Sequence, residues 1–394
     1  FGRTGFPTTR DENWKYTDIS RLVELYPDWL MHKAASTEAI TRKPLPIADA
    51  IHLVFFDGVF QPAHSSSDRP HYLLVGNLAQ LAKSHREIIE SRLNQFNQAA
   101  DSAFVALNTA FSSDCTVLTL PTGITLNRPV YLEHWSGSHG TGSHPRLLVD
   151  LGDSSKATVV EHYSSSAATL VNTVAELMIG QGAHLTYYRL QETHPEAWYT
   201  ALQRLRLGND ATVNSMVIDC GAGLSRSELY ACLAGKGARI EAQGLLVGNG
   251  ARHIDSRITI EHAAPHTTSR ERYRAILGDK SRGVFNGRIL VQQQAQKTSA
   301  ELTNRNLLLT RGAEIDTKPE LEIYADDVRC AHGSSTGQLD EAALFYLLAR
   351  GIDRQAARNM LITAFASELL TDIAIPAVAE RARHTLSTLR FSEL

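Results

Sequence analysis

GDSSKATVVEH at 152–162 begins a motif that returns as GQGAHLTYYRL at 180–190, GNDATVNSMVI at 208–218, GKGARIEAQGL at 235–245 and GNGARHIDSRI at 248–258. Each segment joins a polar, glycine-containing turn to an alanine and a run of β-forming residues. The alanines are Ala157, Ala183, Ala211, Ala238 and Ala251, separated by 26, 28, 27 and 13 residues. Such a repeat indicates a β-solenoid, in which each coil stacks its inward side chains on the coil below. The first four alanines are therefore predicted to be equivalent, although the residues alone also fit a β-sandwich with hairpins of similar length.

The distribution of helix and strand signals along the chain predicts three regions: 1–115, 116–335 and 336–394. The first is mixed, with helices expected near 17–33, 77–93 and 97–111 and a strand pair in IHLVFFDGVF at 51–60. The second carries the repeat and has almost no helical signal. The third is helical, since Asp340 and Asp353 are suited to cap two helices, Gly351 separates them, and Pro376 introduces a third.

The second of these helices carries an apolar stripe. Ala357, Leu361, Phe365, Leu369 and Ile373 recur every four residues. Such a stripe usually faces a core. A helix pair appended to a solenoid has little core of its own, so part of this surface is also suited to a partner protein.

Composition excludes several classes of function. The chain has 394 residues, a net charge of -3 and no Lys/Arg stripe, which argues against nucleic-acid binding. It has no run of about 18 apolar residues that could span a membrane. The four cysteines, at 115, 220, 232 and 330, form neither a CxxC pair nor a dense disulfide pattern, which favours a reducing cytoplasm.

Enzyme motifs are also missing. No glycine loop ends in Gly-Lys-Ser/Thr, as ATP hydrolysis would require, and no G-x-S-x-G marks a serine hydrolase. His262 and His266 have a helical metal-ligand spacing, but Pro265 and the strand texture argue against a helix there.

A free-standing β-helix enzyme acting on saccharides is an alternative function, because stacked strands can present paired acids. The candidate pairs are Glu314 with Asp316 and Glu320 with Glu322. Their alternation with apolar residues fits a solvated strand face more simply.

RCAHGSSTGQLD at 329–340 contains the best candidate metal ligands, Cys330 and His332. Residues two apart in a strand project from the same face, with α-carbons about 6 to 7 Å apart, so both side chains can approach one ion. A thiolate and an imidazole both suit iron or zinc. A buried cysteine beside a turn histidine is the structural alternative. A complete site would need further ligands from a second chain, sulfide or a small thiol.

The chain resembles the SufB/SufD family of iron-sulfur cluster assembly proteins. The resemblance rests on ENWKYTDISRL, PHTTSRERYRAIL, SRGVFNGRILV, AQKTSAELTNRNLLL and the stretch from AEIDTKPELEIYADDVRCAHG to LLARGI, in the family's order from residue 12 to about 375. It is similar to SufD members rather than to SufB, which is longer and carries an additional cysteine cluster near its start. SufD proteins commonly read Cys-x-His-Gly-Ala-Thr-x-Gly, and here Ser334 and Ser335 replace the Ala-Thr pair.

The resemblance implies a right-handed parallel β-helix between N-terminal and C-terminal helical regions. It implies a noncatalytic scaffold that joins SufB and the ATPase SufC in a cluster-building SufBCD complex. SufB would pair through the end of the β-helix near Cys330 and His332, where His332 is the favoured ligand for iron or a nascent cluster. SufC would bind the C-terminal helices. The residues of those helices that we select for this contact are Asp340, Phe345, Tyr346, Leu361 and Phe365. The isolated chain is expected to hold no tightly bound cofactor and to be able to form a homodimer.

Overall fold

The computed structural model describes residues 5–31, 43–93 and 102–388. Its α-helices are α1 (Ser20–Met31), α2 (Leu78–Ser84), α3 (Arg86–Arg92), α4 (Ala103–Phe111), α5 (Glu341–Leu348), α6 (Arg354–Thr371) and α7 (Pro376–Thr388). The helices predicted near 17–33, 77–93 and 97–111 are present, although His85 divides the second into α2 and α3. Residues 32–33 and 97–101 of those predictions lie outside the described residues.

Twenty strands, counted over the described residues, form the body of the molecule. The first ten are β1 (Ile51–Phe56), β2 (Val59–Phe60), β3 (Leu73–Asn77), β4 (Asp114–Leu120), β5 (Val130–Ser136), β6 (Gly142–Ser143), β7 (Arg146–Leu151), β8 (Lys156–Ser165), β9 (Leu170–Ile179) and β10 (His184–Glu192). The others are β11 (Trp198–Leu207), β12 (Thr212–Asp219), β13 (Leu224–Leu233), β14 (Arg239–Gly248), β15 (His253–His262), β16 (Thr268–Leu277), β17 (Arg282–Val291), β18 (Ser299–Leu308), β19 (Glu314–Ile323) and β20 (Arg329–Gly337).

From β7 onward the strands alternate between two sheets, which confirms the predicted solenoid. Sheet A has the order β2-β1-β5-β8-β10-β12-β14-β16-β18-β20, and sheet B runs from β19 through the odd-numbered strands to β7, β4 and β3. Strands that follow one another within a sheet pair in parallel from β5 to β20. The chain thus winds through about eight turns, with helices at both ends. We call the space between the sheets the lumen.

The predicted equivalence of the four alanines holds for three of them. Ala183, Ala211 and Ala238 each lie directly before a sheet A strand, and their carbonyls accept the amide that begins the next strand of that sheet. Ala157 is not their equivalent, because the residue that takes this role one coil earlier is Ser155. Ala157 lies two residues later, inside β8, and pairs with Leu185. The half-length step to Ala251 is a turn that leads into sheet B.

Inward-facing residues of successive coils form columns along the lumen. One sheet A column contains Leu185, Val213 and Ile240, all buried in the main apolar cluster. This stacking buries apolar surface continuously, at roughly 25 cal/mol per Å² removed from water. It explains why a solenoid is stable without a central globular core.

The N-terminal segment lies against the outer face of sheet B. The Arg226 guanidinium stacks 3.6 Å over the Trp14 ring, and its Nη1 donates to the Asn13 carbonyl. Thr17 Oγ1 donates to Asp255 Oδ2 at 2.6 Å, and Asp255 also accepts from Arg226. The buried ion pair is therefore satisfied partly by the segment that covers it.

At the other end of the chain, α6 and α7 cover the outer face of sheet A. Asp340 and Asp353 cap α5 and α6 as predicted, each accepting two backbone amides, and Gly351 has a φ of +81. The stripe predicted on α6 is only partly core, since Leu361 is half-buried and Ile362 and Ala366 are buried instead. An α-helix has 3.6 residues per turn, so positions spaced by four drift around it.

Candidate metal centre at the open end of the solenoid

The last coil of the solenoid has no coil stacked on it. Among the described residues, β20 pairs with β18 and β19 pairs with β17, and neither has a second neighbour in its sheet. Their unpaired N–H and C=O groups form two open edges at the same end of the molecule. Ile323 and Tyr324 are 40% and 62% exposed there. This end is consequently suited to a second β-rich chain.

Cys330 and His332 both face the lumen from β20. Cys330 continues the column of Ser269 and Ala300, and His332 follows Leu302 in the adjacent column. Cys330 is half-buried and packs against the main apolar cluster, whereas His332 is exposed because nothing lies above it. The strand therefore presents the imidazole to whatever covers this end and keeps the thiol partly inside.

The electrostatic environment separates the two side chains further. Burial raises the pKa of the Cys330 thiol above its ordinary value, a backbone hydrogen bond at Ala300 opposes this, and the nearby Glu271 adds to the rise. At neutral pH Cys330 is thus a protonated, poorly nucleophilic thiol. Glu271, in the column below His332, is fully buried, and burial raises its pKa to about 8. The region beneath the candidate ligands therefore holds little negative charge.

Two ligands are all that the described chain brings together here. Across 5–31, 43–93 and 102–388, no group of three or more His, Cys, Asp or Glu side chains is arranged to hold a metal ion. A tetrahedral site needs four donors. Within those ranges, Cys330 and His332 thus supply two of the four donors that such a site needs.

Four of the other sequence candidates, His262, Asp316, Glu320 and Glu322, make side-chain hydrogen bonds within the chain. His262 is buried, with Nδ1 2.8 Å from Thr267 Oγ1 and Nε2 3.0 Å from Ser269 Oγ. Asp316, Glu320 and Glu322 line the outer face of β19 and accept hydrogen bonds from polar side chains of β17. Their positions fit the solvated strand face predicted for these acids.

A polar cluster that the sequence motifs did not predict lies beside His332. Thr317 of β19, Ser334 of β20 and Asn304 of β18 meet across the lumen, with Thr317 Oγ1 donating to Asn304 Oδ1 at 2.9 Å. The sequence signal for this cluster is the series of hydroxyl and amide residues at inward-facing positions of β18, β19 and β20. Only the pairing of the strands reveals that these residues touch.

Comparison with known proteins identifies the family. A model described as "SUF system FeS cluster assembly, SufBD core domain" matches residues 134–365, and one described as "SufBD protein N-terminal region" matches 1–132. The chain belongs to the SufBD family of iron-sulfur cluster assembly proteins. It is 33% identical to the iron-sulfur cluster assembly protein SufD of Escherichia coli (strain K12), over 93% of this chain and 85% of that protein.

Other relatives extend the match across most of the chain. A SufBD family protein of Synechocystis is 31% identical over 98% of this chain and 88% of its own length. SufD of Bacillus subtilis is 24% identical over 95% and 87%. The chain is thus a SufD homologue, as its sequence motifs predicted. None of the helices in the described chain is long and apolar enough to span a membrane.

The C-terminal helices of this SufBD family chain carry exposed aromatic side chains. Phe345 and Tyr346 on α5 are 72% and 56% exposed, and the Arg350 guanidinium lies 4.2 Å from the Tyr346 ring centre. Leu361 is half-buried, and Phe365 packs against the cluster under α6 with Arg274 5.2 Å from its ring. Phe345 and Tyr346 are therefore the more accessible of the aromatic candidates for a partner, and Phe365 contributes mainly to docking α6.

Proposed function

We propose that this chain is a noncatalytic scaffold subunit of a cytoplasmic SufBCD complex, in which it supports iron-sulfur cluster assembly with SufB and the ATPase SufC. The observation that carries the proposal is an exposed His332 beside a half-buried Cys330 on the uncapped last coil. A metal-ligating side chain at an open edge can serve in a metal site once a second chain covers the edge and supplies the remaining ligands. The chain itself performs no turnover.

His332 is the better ligand of the two. A neutral imidazole can donate a lone pair to iron as it stands. A thiol must first lose its proton, and burial makes that loss harder for Cys330. Cys330 is protonated because burial raises its pKa, so it supports the site as a neighbour. SufB would supply the remaining thiolate or carboxylate. Iron or the nascent cluster is cargo at this interface, and the isolated chain keeps no tightly bound cofactor.

The two partners would use different surfaces. SufB would cover the open edges of β19 and β20, where the isolated chain could also pair with a second copy of itself. SufC would bind the helical end through Phe345 and Tyr346, assisted by Asp340, Leu361 and Phe365. Exposed aromatic side chains are common energetic centres of protein interfaces.

The decisive experiment measures iron and sulfide in the anaerobically purified complex. His332→Ala should preserve the stoichiometry of the complex and lower its cluster content, and Cys330→Ala should lower it less. His139→Ala removes another exposed histidine, outside the last coil, and is the matched control. Full cluster content with His332→Ala, in a complex of normal stoichiometry, would remove the metal-site assignment. Turnover of polysaccharide by the chain alone would support the alternative enzyme.

Contact with SufC is tested with Phe345→Ala and Tyr346→Ala in a pull-down. Deleting 340–394 is a coarser test, because α6 and α7 cover apolar residues of sheet A such as Leu245 and Ile276. The double variant removes the exposed aromatic surface and leaves that packing intact. Undiminished SufC binding by the double variant would exclude α5 as the contact.

A further inference from the structure

Three side chains cross the lumen next to His332. Thr317 Oγ1 donates to Asn304 Oδ1 at 2.9 Å, and the Ser334 hydroxyl lies 3.2 Å from Thr317 Oγ1 and 3.5 Å from Asn304 Oδ1, within hydrogen-bond distance of both. Asn306 Nδ2 also donates to Asn304 Oδ1, at 2.7 Å. We call Asn304, Thr317 and Ser334 the crossbar. It joins sheet A to sheet B at the last coil.

The crossbar replaces an aromatic contact found one coil below. In the strand register, Asn304 follows Tyr273 and Thr317 follows Phe285. The rings of Tyr273 and Phe285 are 5.0 Å apart inside the lumen. An aromatic pair at the open end would expose its upper face to water, whereas hydroxyl groups can be hydrated there without penalty. At the open last coil, polar side chains are therefore better suited than aromatic ones to link the two sheets.

The backbone of β20 is held by β18 along its length, but few contacts join β20 to β19 in the opposite sheet. The hydrogen bond between Thr317 and Ser334 is the one side-chain hydrogen bond found between β19 and β20 within the described residues. Nearly all of β20 is exposed. Ser334 lies two residues after His332 and projects from the same face of the strand. Fixing Ser334 across the lumen therefore also limits how far His332 can move.

We propose that Thr317 and Asn304 are positioning residues for His332, holding β20 at a fixed distance from β19 before a partner arrives. The proposal deepens the function proposed above and rests on it for the consequence in the complex. Its structural part concerns the isolated chain alone.

The first test uses the full chain without iron or partner. The His332 ring signals are measured by NMR with labelled histidine and assigned by their loss in His332→Gln. Thr317→Val removes the hydroxyl at constant shape and should shift and broaden the His332 signals, whereas Thr317→Ser should restore them. Ser335→Ala is the matched control, because Ser335 is the adjacent serine on the outward face of β20.

The outcomes separate a positioning role from a structural one. A general loss of folding would also move the buried His262, so the His262 signals must stay unchanged in Thr317→Val. The proposal would be overturned if Thr317→Val changed the His332 signals no more than the control Ser335→Ala does.

The second test measures cluster content in the assembled complex. Thr317→Val should lower it towards the value of His332→Ala, and Thr317→Ser should return it to the parent value. Full cluster content in Thr317→Val, beside a clear loss in His332→Ala, would overturn the positioning role in the complex while leaving the proposed function intact. If His332→Ala itself has no effect, the proposed function fails, and the NMR result alone decides whether the crossbar positions His332.

Discussion

Glu192 of β10 anchors the C-terminal helices to the solenoid through its charge. Arg381 Nε of α7 donates to both carboxylate oxygens, at 2.9 and 2.8 Å, and Thr385 Oγ1 donates at 3.0 Å. His162 Nε2 lies 2.9 Å away, and the Glu192 side chain is only 13% exposed. We predict that Glu192→Gln loosens α7 without changing the solenoid.

The magnitude follows from the pKa of the carboxyl group. Burial raises the pKa of Glu192, but the hydrogen bond and charge of His162 and the charge of Arg381 outweigh burial and lower it from 4.5 to about 2. Each pKa unit is worth about 1.4 kcal/mol, so the ionised carboxylate stabilises the fold by as much as about 3 kcal/mol. A lowered pKa means that this stabilisation is complete above about pH 4.5 and is lost as the pH falls towards 2.

Amide hydrogen exchange across α7 at pH 7 measures the effect. A loss of about 3 kcal/mol corresponds to a fall in protection of roughly 100-fold for Glu192→Gln. Glu380→Gln, which removes an exposed charge from α7 itself, should change protection little. Thermal unfolding should show the difference between parent and Glu192→Gln shrinking from pH 5 to pH 3. A fall in protection of less than about threefold, or a difference independent of pH, would refute the charge-based reasoning.

Two further predictions concern the lumen. Burial raises the folded pKa of Glu271 from 4.5 to about 8, so the parent chain should lose stability as the pH rises through this range. Glu271→Gln should remove this pH dependence. The difference in free energy of unfolding between the parent chain and Glu271→Gln, measured by urea titration, should therefore change by about 3 kcal/mol between pH 5 and 7.5. Parallel pH profiles of the two proteins would contradict this. Gly244→Ala should destabilise the chain by about 1 to 3 kcal/mol, because a Cβ there would lie 2.2 Å from the Tyr273 ring. Gly333→Ala, with no neighbour within 4 Å of its Cβ, is the control, and equal melting temperatures for the two variants would exclude overpacking.

Several features of the chain could be predicted from local sequence because their causes are local. The caps at Asp340 and Asp353 depend on side chains that bond to amides two and three residues away. The repeat of turn, small residue and strand fixes the coil length, since each coil must return to the same lumen. The placement of Cys330 and His332 on one strand face follows from the two-residue period of a strand.

The register of the coils could not be predicted in the same way. Moving a strand by two residues keeps every side chain on its original face, so the pattern fits Ala157 as well as Ser155. Which of them aligns with Ala183 depends on how neighbouring coils pack, and the strand pairing decides it. The hydrophobic pattern therefore determined the faces but not the alignment.

The site depended most on tertiary structure. The sequence by itself determined a family, a solenoid and two candidate ligands two residues apart. Only the fold decided that β20 is the last strand, so that His332 is exposed while Cys330 is half-buried. It also brought Thr317 to Ser334, 17 residues away, and Glu192 to Arg381, 189 residues away. Those contacts follow from the winding and docking of the whole chain, and no local pattern records them because each partner is polar and unremarkable within its own segment.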